Sequence, residues 1–206
     1  MSTTATDIVI RKGSTFSKVI RWAAEPLIYK PITGITKAAP PVITATGHGV
    51  PNGWRVAVAS VIGMRDINGK SLTKGGVPFD SEFHKATVLT ANTLSLNDVN
   101  ALDFTAYTSG GTLVYFTPVD LNGYTARMQI RLTEVAADPA LVSLTTENGG
   151  IAIDNTAKTI TLTIAATATD DLTFLAGVYD LELISSTGVV TPLLKGNVTV
   201  EAEVTR

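Results

Sequence analysis

Cysteine is absent from the 206 residues. That absence excludes disulfides, thiolate metal sites and cysteine nucleophiles together, and it suits a chain made in a reducing cytoplasm. Charge is sparse as well, since Asp, Glu, Lys and Arg make up 17% of the residues, with 16 basic against 18 acidic side chains. Without a basic excess to neutralise phosphates, direct nucleic-acid binding is not expected. No window approaches the roughly 18 apolar residues of a membrane-spanning helix, and the start MSTTATDIVIRKG lacks the basic-then-apolar order of a signal peptide. A soluble chain with no membrane partner is the expectation.

What the chain does have is Thr, Val, Ile and Ala in abundance, within a hydrophobic fraction of 45% that favours an ordered fold. β-Branched residues alternate with polar ones, the period-two pattern of strands with one buried face. Ile8 to Arg11 and Phe16 to Trp22, separated by Lys12-Gly13-Ser14, read as a first hairpin. Pro26, Pro31, Pro40 and Pro41 follow, and proline marks edges and crossings. Short strands are expected at Val42 to Thr46, Arg55 to Val61, Lys85 to Thr90, Thr93 to Leu96 and Thr112 to Phe116. Beyond Pro118 come Tyr124 to Arg131, Leu141 to Thr145, Gly150 to Ile153 and Thr159 to Ile164. Ala165 to Leu172 predicts the single helix, capped by Thr167 or Thr169. A hairpin of Gly177 to Ile184 and Val189 to Leu194 leads past Gly196 into the alternation Val198, Val200, Ala202, Val204.

Neither flank holds enough strands for a sandwich, but together they supply about eight, near the usual number. The fold class is therefore all-β, an antiparallel β-sandwich interrupted by a small β-barrel-like module. Residues 1–33 plus 117–206 form the discontinuous sandwich, and residues 34–116 form the inserted module.

The chemistry-bearing residues do not assemble into a motif. His48 sits between two glycines and reads as a loop residue. A zinc site on His48 and His84 would need two more ligands from carboxylates such as Glu82 or Asp80, and no tight ligand spacing recurs. Ser60 and Ser81 lack a nucleophile elbow. Asp98, Asp103 and the pair Asp170-Asp171 read as turn and cap residues rather than a glycosidase dyad. Asp120-Leu121-Asn122-Gly123 opens like a calcium loop but lacks the later ligands, and Gly110-Gly111 and Gly149-Gly150 read as turns. Arg11, Lys12, Lys18 and Arg21 form a solvated or edge-blunting group. Trp22, Tyr29, Trp54 and Tyr107 are aromatic anchors, or else a sugar-binding face. No catalytic, metal-ligating or cofactor-binding residue is assigned, no cofactor is expected, and the chain is not read as an enzyme.

Two resemblances emerge from the turn residues and spacing. The segment ITGITKAAPPVITATGHGVPNG, with VIGMRDINGK, ATVLTANTLSLNDVNALDF and TAYTSGGTL, resembles the small β module labelled after the FCCH domain of ubiquitin-activating enzymes. The flanks, with DIVIRKGSTFSKVIRW, VDLNGYTARMQIR, LTTENGGIAIDNTAKTITLTI and GVYDLELISSTGVVTPLLKGNVTV, resemble the N-terminal domain of baseplate upper proteins of tailed phages. The resemblance implies a virion structural protein of the tail, baseplate or neck region, made in the bacterial host cytoplasm. Because the chain stops at Arg206, soon after its last strand, an anchoring or adaptor piece is expected rather than a receptor binder. Its partners would be other virion proteins and further copies of itself in a homo-oligomer. The alternatives are a carbohydrate-binding module on the virion and a capsid decoration protein. The long C-terminal alternation suggests a strand edge free to pair with a neighbour.

Overall fold

The structure is a computed structural model that describes residues 4–69 and 78–203. The chain divides into two compact units, one of residues 1–22 with 120–206 and the other of residues 23–119. The first unit opens with β1 (Thr4–Ala5), β2 (Ile8–Arg11) and β3 (Phe16–Ile20), after which the chain enters the second.

The second unit contains β4 (Ala23–Pro31), β5 (Gly34–Ile35), β6 (Val42–Thr44), β7 (Arg55–Ile62), β8 (His84–Thr90), β9 (Thr93–Leu96) and β10 (Ser109–Pro118). They form one seven-stranded sheet, ordered β4-β10-β7-β8-β9-β6-β5, that curls into a half-barrel. Val56 and Val58 of β7 face a core with Ile43, Leu94, Leu113 and Tyr115. The intervening Ala57 joins Phe83 and Val114 in a smaller cluster, so this part of the sheet is covered on both faces. The proline-rich segment after Trp22 belongs here rather than to the flanks, because Ala23 to Pro31 pairs along β10 from Pro118 to Thr112. As an edge strand, β4 can turn the nitrogens of Pro26 and Pro31 away from the ladder. The chain therefore passes between the units at Trp22/Ala23 rather than near Thr33, and again at Val119/Asp120, close to Thr117.

The first unit resumes with β11 (Thr125–Arg131), β12 (Val142–Thr145), β13 (Ile151–Asp154), β14 (Thr159–Ile164), α1 (Ala166–Asp170), β15 (Ala176–Ile184) and β16 (Val190–Glu201). One sheet runs β1-β16-β15-β11-β12, with β2 also on β16, and the other runs β13-β14-β3. Their inner faces bury Ile8, Ile10, Met128, Ile130, Ile160, Leu162 and Leu181, the aligned layers of a β-sandwich.

Three sequence expectations change. β2 and β3 are not a hairpin, because β2 pairs in parallel with β16 whereas β3 pairs antiparallel with β14. The Lys12-Gly13-Ser14 turn carries the chain between sheets so that Ile10 and Ile20 face one core from opposite sides. β16 is one twelve-residue strand running through Gly196, and neither of its edges is free. β15 lines one side, and β1 and β2 line the other. A Cβ at Gly196 would lie 2.3 Å from the Thr6 carbonyl oxygen, so only glycine lets the N-terminal strand approach this closely. Val204, the last residue of the expected alternation, lies outside the described residues. Finally, α1 is shorter than expected and its N-cap is Ala165, with no side-chain cap. Thr169 is instead buried and its hydroxyl contacts the Ser14 and Ala166 carbonyls, each at 2.8 Å.

Candidate functional site

The outer face of the large sheet in the sandwich unit carries a polar cleft of about 430 Å³. Strand alternation places Arg127, Gln129 and Arg131 of β11 on this face beside Glu182, Asp180 and Val178 of β15, and Lys195 and Asn197 of β16 continue the rows. Asp7, between β1 and β2, forms one wall by accepting the backbone and side-chain N–H of Asn197 at 2.8 and 3.1 Å. Thr133 and Glu134, in the loop after β11, form the other wall. Arg131 stiffens that loop: Nη1 donates to the Ala136 carbonyl at 2.9 Å, Nη2 donates to Gln129 Oε1 at 2.9 Å, and the guanidinium pairs with Asp138.

Charge in the cleft is partly matched. Arg127 and Glu182 pair at 2.7 Å. Asp180 and Lys195 are register partners, yet among the described residues neither makes an ion pair. Burial, and then the like charge of Glu182, raise the Asp180 carboxyl above its ordinary value. Burial and Asp7 likewise raise the Tyr179 phenol, whose hydroxyl donates to the Thr6 carbonyl at 2.6 Å. The cleft thus offers hydrogen-bonding groups and one unbridged acid and base pair.

A second groove, of about 350 Å³, lies within the half-barrel unit and includes Asp66, Glu82, His84, Asp98 and Phe104. His84 Nδ1 meets Asp98 Oδ2 at 3.0 Å. Asp80 is drawn away by Arg55, which holds its carboxylate at 2.5 Å and its carbonyl at 2.6 Å and lies over the Phe83 ring. Among the described residues no three of His, Asp and Glu stand together as metal ligands.

The other residues singled out by sequence lie apart. His48 lies in the loop after β6, as expected, but its side chain is buried, at 1% exposure. Its Nδ1 accepts the Val50 N–H at 3.0 Å, its Nε2 lies 3.1 Å from the Thr90 carbonyl, and its own carbonyl accepts the Tyr115 hydroxyl. Two glycines with positive φ flank it, and they let the turn fold this ring inward. Ser60 has a φ of 61° within β7, and Ser81 lies in a 3-10 turn. Asp98 is engaged by His84, while Asp103, Asp170 and Asp171 are exposed. Asp120 caps its own turn through Asn122 and lies 3.4 Å from Lys158, and the hydrogen bond from Asn155 leads the lowering of its pKa. Gly110, Gly111 and Gly149 all have positive φ, as turns and bulges require. Arg11 lies 3.7 Å from Glu201, and burial lowers the pKa of Arg21.

The aromatics do not share a face. Trp22 meets Tyr124 edge-on at 5.9 Å. Trp54 is buried with its indole N–H on the Phe116 carbonyl at 3.1 Å, and the Tyr107 hydroxyl donates to the Gly110 carbonyl at 3.0 Å. Tyr29 stands exposed on β4.

The cleft was missed by sequence reasoning because its members come from four distant segments. The alternation of β11 and β15 marked the outward residues, but nothing local reveals that β1 and β16 lie alongside. No family model and no curated protein sequence matches the chain.

Proposed function

We propose that the chain is a structural interaction protein of a tailed-phage virion, an adaptor or anchor in the tail, baseplate or neck region. It would work through protein contacts rather than by catalysis. The observation that carries this reading is the amount of large apolar side chain that the sandwich unit leaves in solvent, with Val135 at 92% and Leu175 at 73% exposure. Residues of this kind become buried when a partner docks. Arg55–Asp80, Arg127–Glu182 and Arg131–Asp138 are ion pairs that brace strands and loops. The phage assignment itself rests on the resemblance of the flanks to baseplate upper proteins and of the inserted segment to the FCCH-type module.

The test begins with the mass of the purified chain in solution, which gives the copy number. A tagged chain is then expressed during infection, and purified particles are imaged with a gold label against the tag. Label on the tail, baseplate or neck is the expected result. Particles that lack the chain would refute the reading.

A further inference from the structure

Strand register places the two most exposed apolar side chains of the sandwich unit, Val135 and Leu175, at one end together with Leu132 and Leu141, whereas Val189 and Val190 lie at the β15–β16 hairpin of the other end. β11 runs toward Arg131, which lies opposite Val178 near the start of β15, and Thr199 near the end of β16 lies opposite Ala176. The loop after β11, Leu175 and the last residues of β16 therefore share an end. The Lys12–Ser14 crossing and α1 join them there, because Arg11 lies opposite Glu201 and Phe16 opposite Ile164. The chain links to the other unit leave from the opposite end. Ile20, two residues before one link, lies opposite Ile160, and Leu121, just after the other, donates its N–H to Asn155 at 2.8 Å in the same β13–β14 turn region.

At this end Val135, Leu175 and Leu132 are 92%, 73% and 59% exposed. Val135 projects from a loop that Arg131 already braces, so docking would cost little ordering entropy. Charge then discriminates between partners. Glu134, Asp170, Asp171 and Glu203 belong to the same end, and among the described residues none of them makes an ion pair, nor does Lys12 of the crossing there. Two copies meeting end to end would press these carboxylates together, whereas a basic surface would neutralise them.

We propose that this end of the sandwich unit docks on a different protein, at an apolar surface rimmed by Lys or Arg side chains. The proposal rests on the reading that the chain works through protein contacts, and it names the surface and the partner's chemistry. Self-assembly, where it occurs, uses another face.

The probe is a synthetic amphipathic peptide of leucine and lysine, compared with one of leucine and glutamate, each added to the purified full chain. Hydrogen exchange is followed by mass spectrometry. The lysine peptide should slow exchange in residues 132–141 and 175–176, and Val135→Asp should weaken its binding by about tenfold, equal to about 1.4 kcal/mol. The double charge reversal Glu134→Lys with Asp170→Lys should also weaken it, while the glutamate peptide should leave these segments unprotected. Equal protection by both peptides, or protection confined to other segments, would overturn the proposal. So would a fall in the solution mass of the chain caused by Val135→Asp, since that would make the surface a self-contact. Particle imaging tests the virion reading separately, so a chain absent from particles that still binds the lysine peptide would sink that reading and keep this one.

Discussion

His48 is a buried polar side chain with partners, whereas Asp180 is exposed on the outer face of β15 and only partly withdrawn from water. The ring of His48 is held on both nitrogens: the Val50 N–H requires a lone pair on Nδ1, which leaves the proton on Nε2 facing the Thr90 carbonyl. His48→Ala removes two buried hydrogen bonds and opens a cavity beside Tyr115, so it should lower stability by about 3 kcal/mol, read from the denaturation midpoint. Nitrogen chemical shifts of the ring should report the Nε2–H tautomer. At Asp180, partial withdrawal from water and the charge of Glu182 raise the carboxyl pKa from the ordinary 3.8. The native state then binds more protons than the unfolded chain between that value and the raised one, so this group's contribution to stability falls as pH rises through the window. Asp180→Asn should therefore be more stable than the parent at neutral pH, and the gain should shrink as pH drops toward 4. A gain that stays constant across a pH series of melts would refute this. Neither effect could be read from sequence, since GHG looks like an open turn and Asp180 looks like any outward strand residue.

Sheet edges are guarded element by element, and the guards come from side chains that looked unremarkable in isolation. On β12, the Asn148 side chain imitates a neighbouring strand: Oδ1 accepts the Thr145 N–H at 2.9 Å and Nδ2 donates to the Ser143 carbonyl at 3.0 Å. On β3, Lys18 lies opposite Leu162, in the inward row between Phe16 and Ile20. Pairing with another chain would bury that ammonium. The basic group noticed in the sequence thus includes a residue placed to guard an edge, although the hairpin that it was assigned to does not exist. Alternation made most strands legible, and β11, β14 and β15 fall where the period-two pattern puts them. Pairing was not legible, because the sequence offers only proximity along the chain, and β2 and β3 looked like partners on that ground alone. Asn148→Ala with Lys18→Val should unblock both edges. Light scattering should then show association that increases with concentration, which the parent lacks at the same concentrations. If the double variant stays at the parent's mass, these residues are not guards.

At the scale of the whole molecule, the return border near Thr117 lies close to Val119/Asp120, but the first border lies at Trp22/Ala23, well before Thr33. Four prolines suggested a boundary after β4, because proline is a poor ladder residue, but an edge strand tolerates what an inner strand would not. The borders matter for excision. Removing residues 34–116 would leave β4 without β10, exposing Leu27 and Ile28, which lie opposite Phe116 and Tyr115, and such a product should aggregate. Removing residues 23–119 instead takes β4 and β10 out together. Ala23 and Pro118 are register partners at the ends of that pair, so their Cα atoms lie about 5 Å apart and a short Gly-Ser bridge can join Trp22 to Asp120. The Trp22–Tyr124 contact and every strand of both sandwich sheets remain. The shorter protein should melt in a single cooperative transition and give dispersed amide resonances. A product of this second excision that is unfolded or lacks a cooperative melt would show that the sandwich needs its inserted partner to fold.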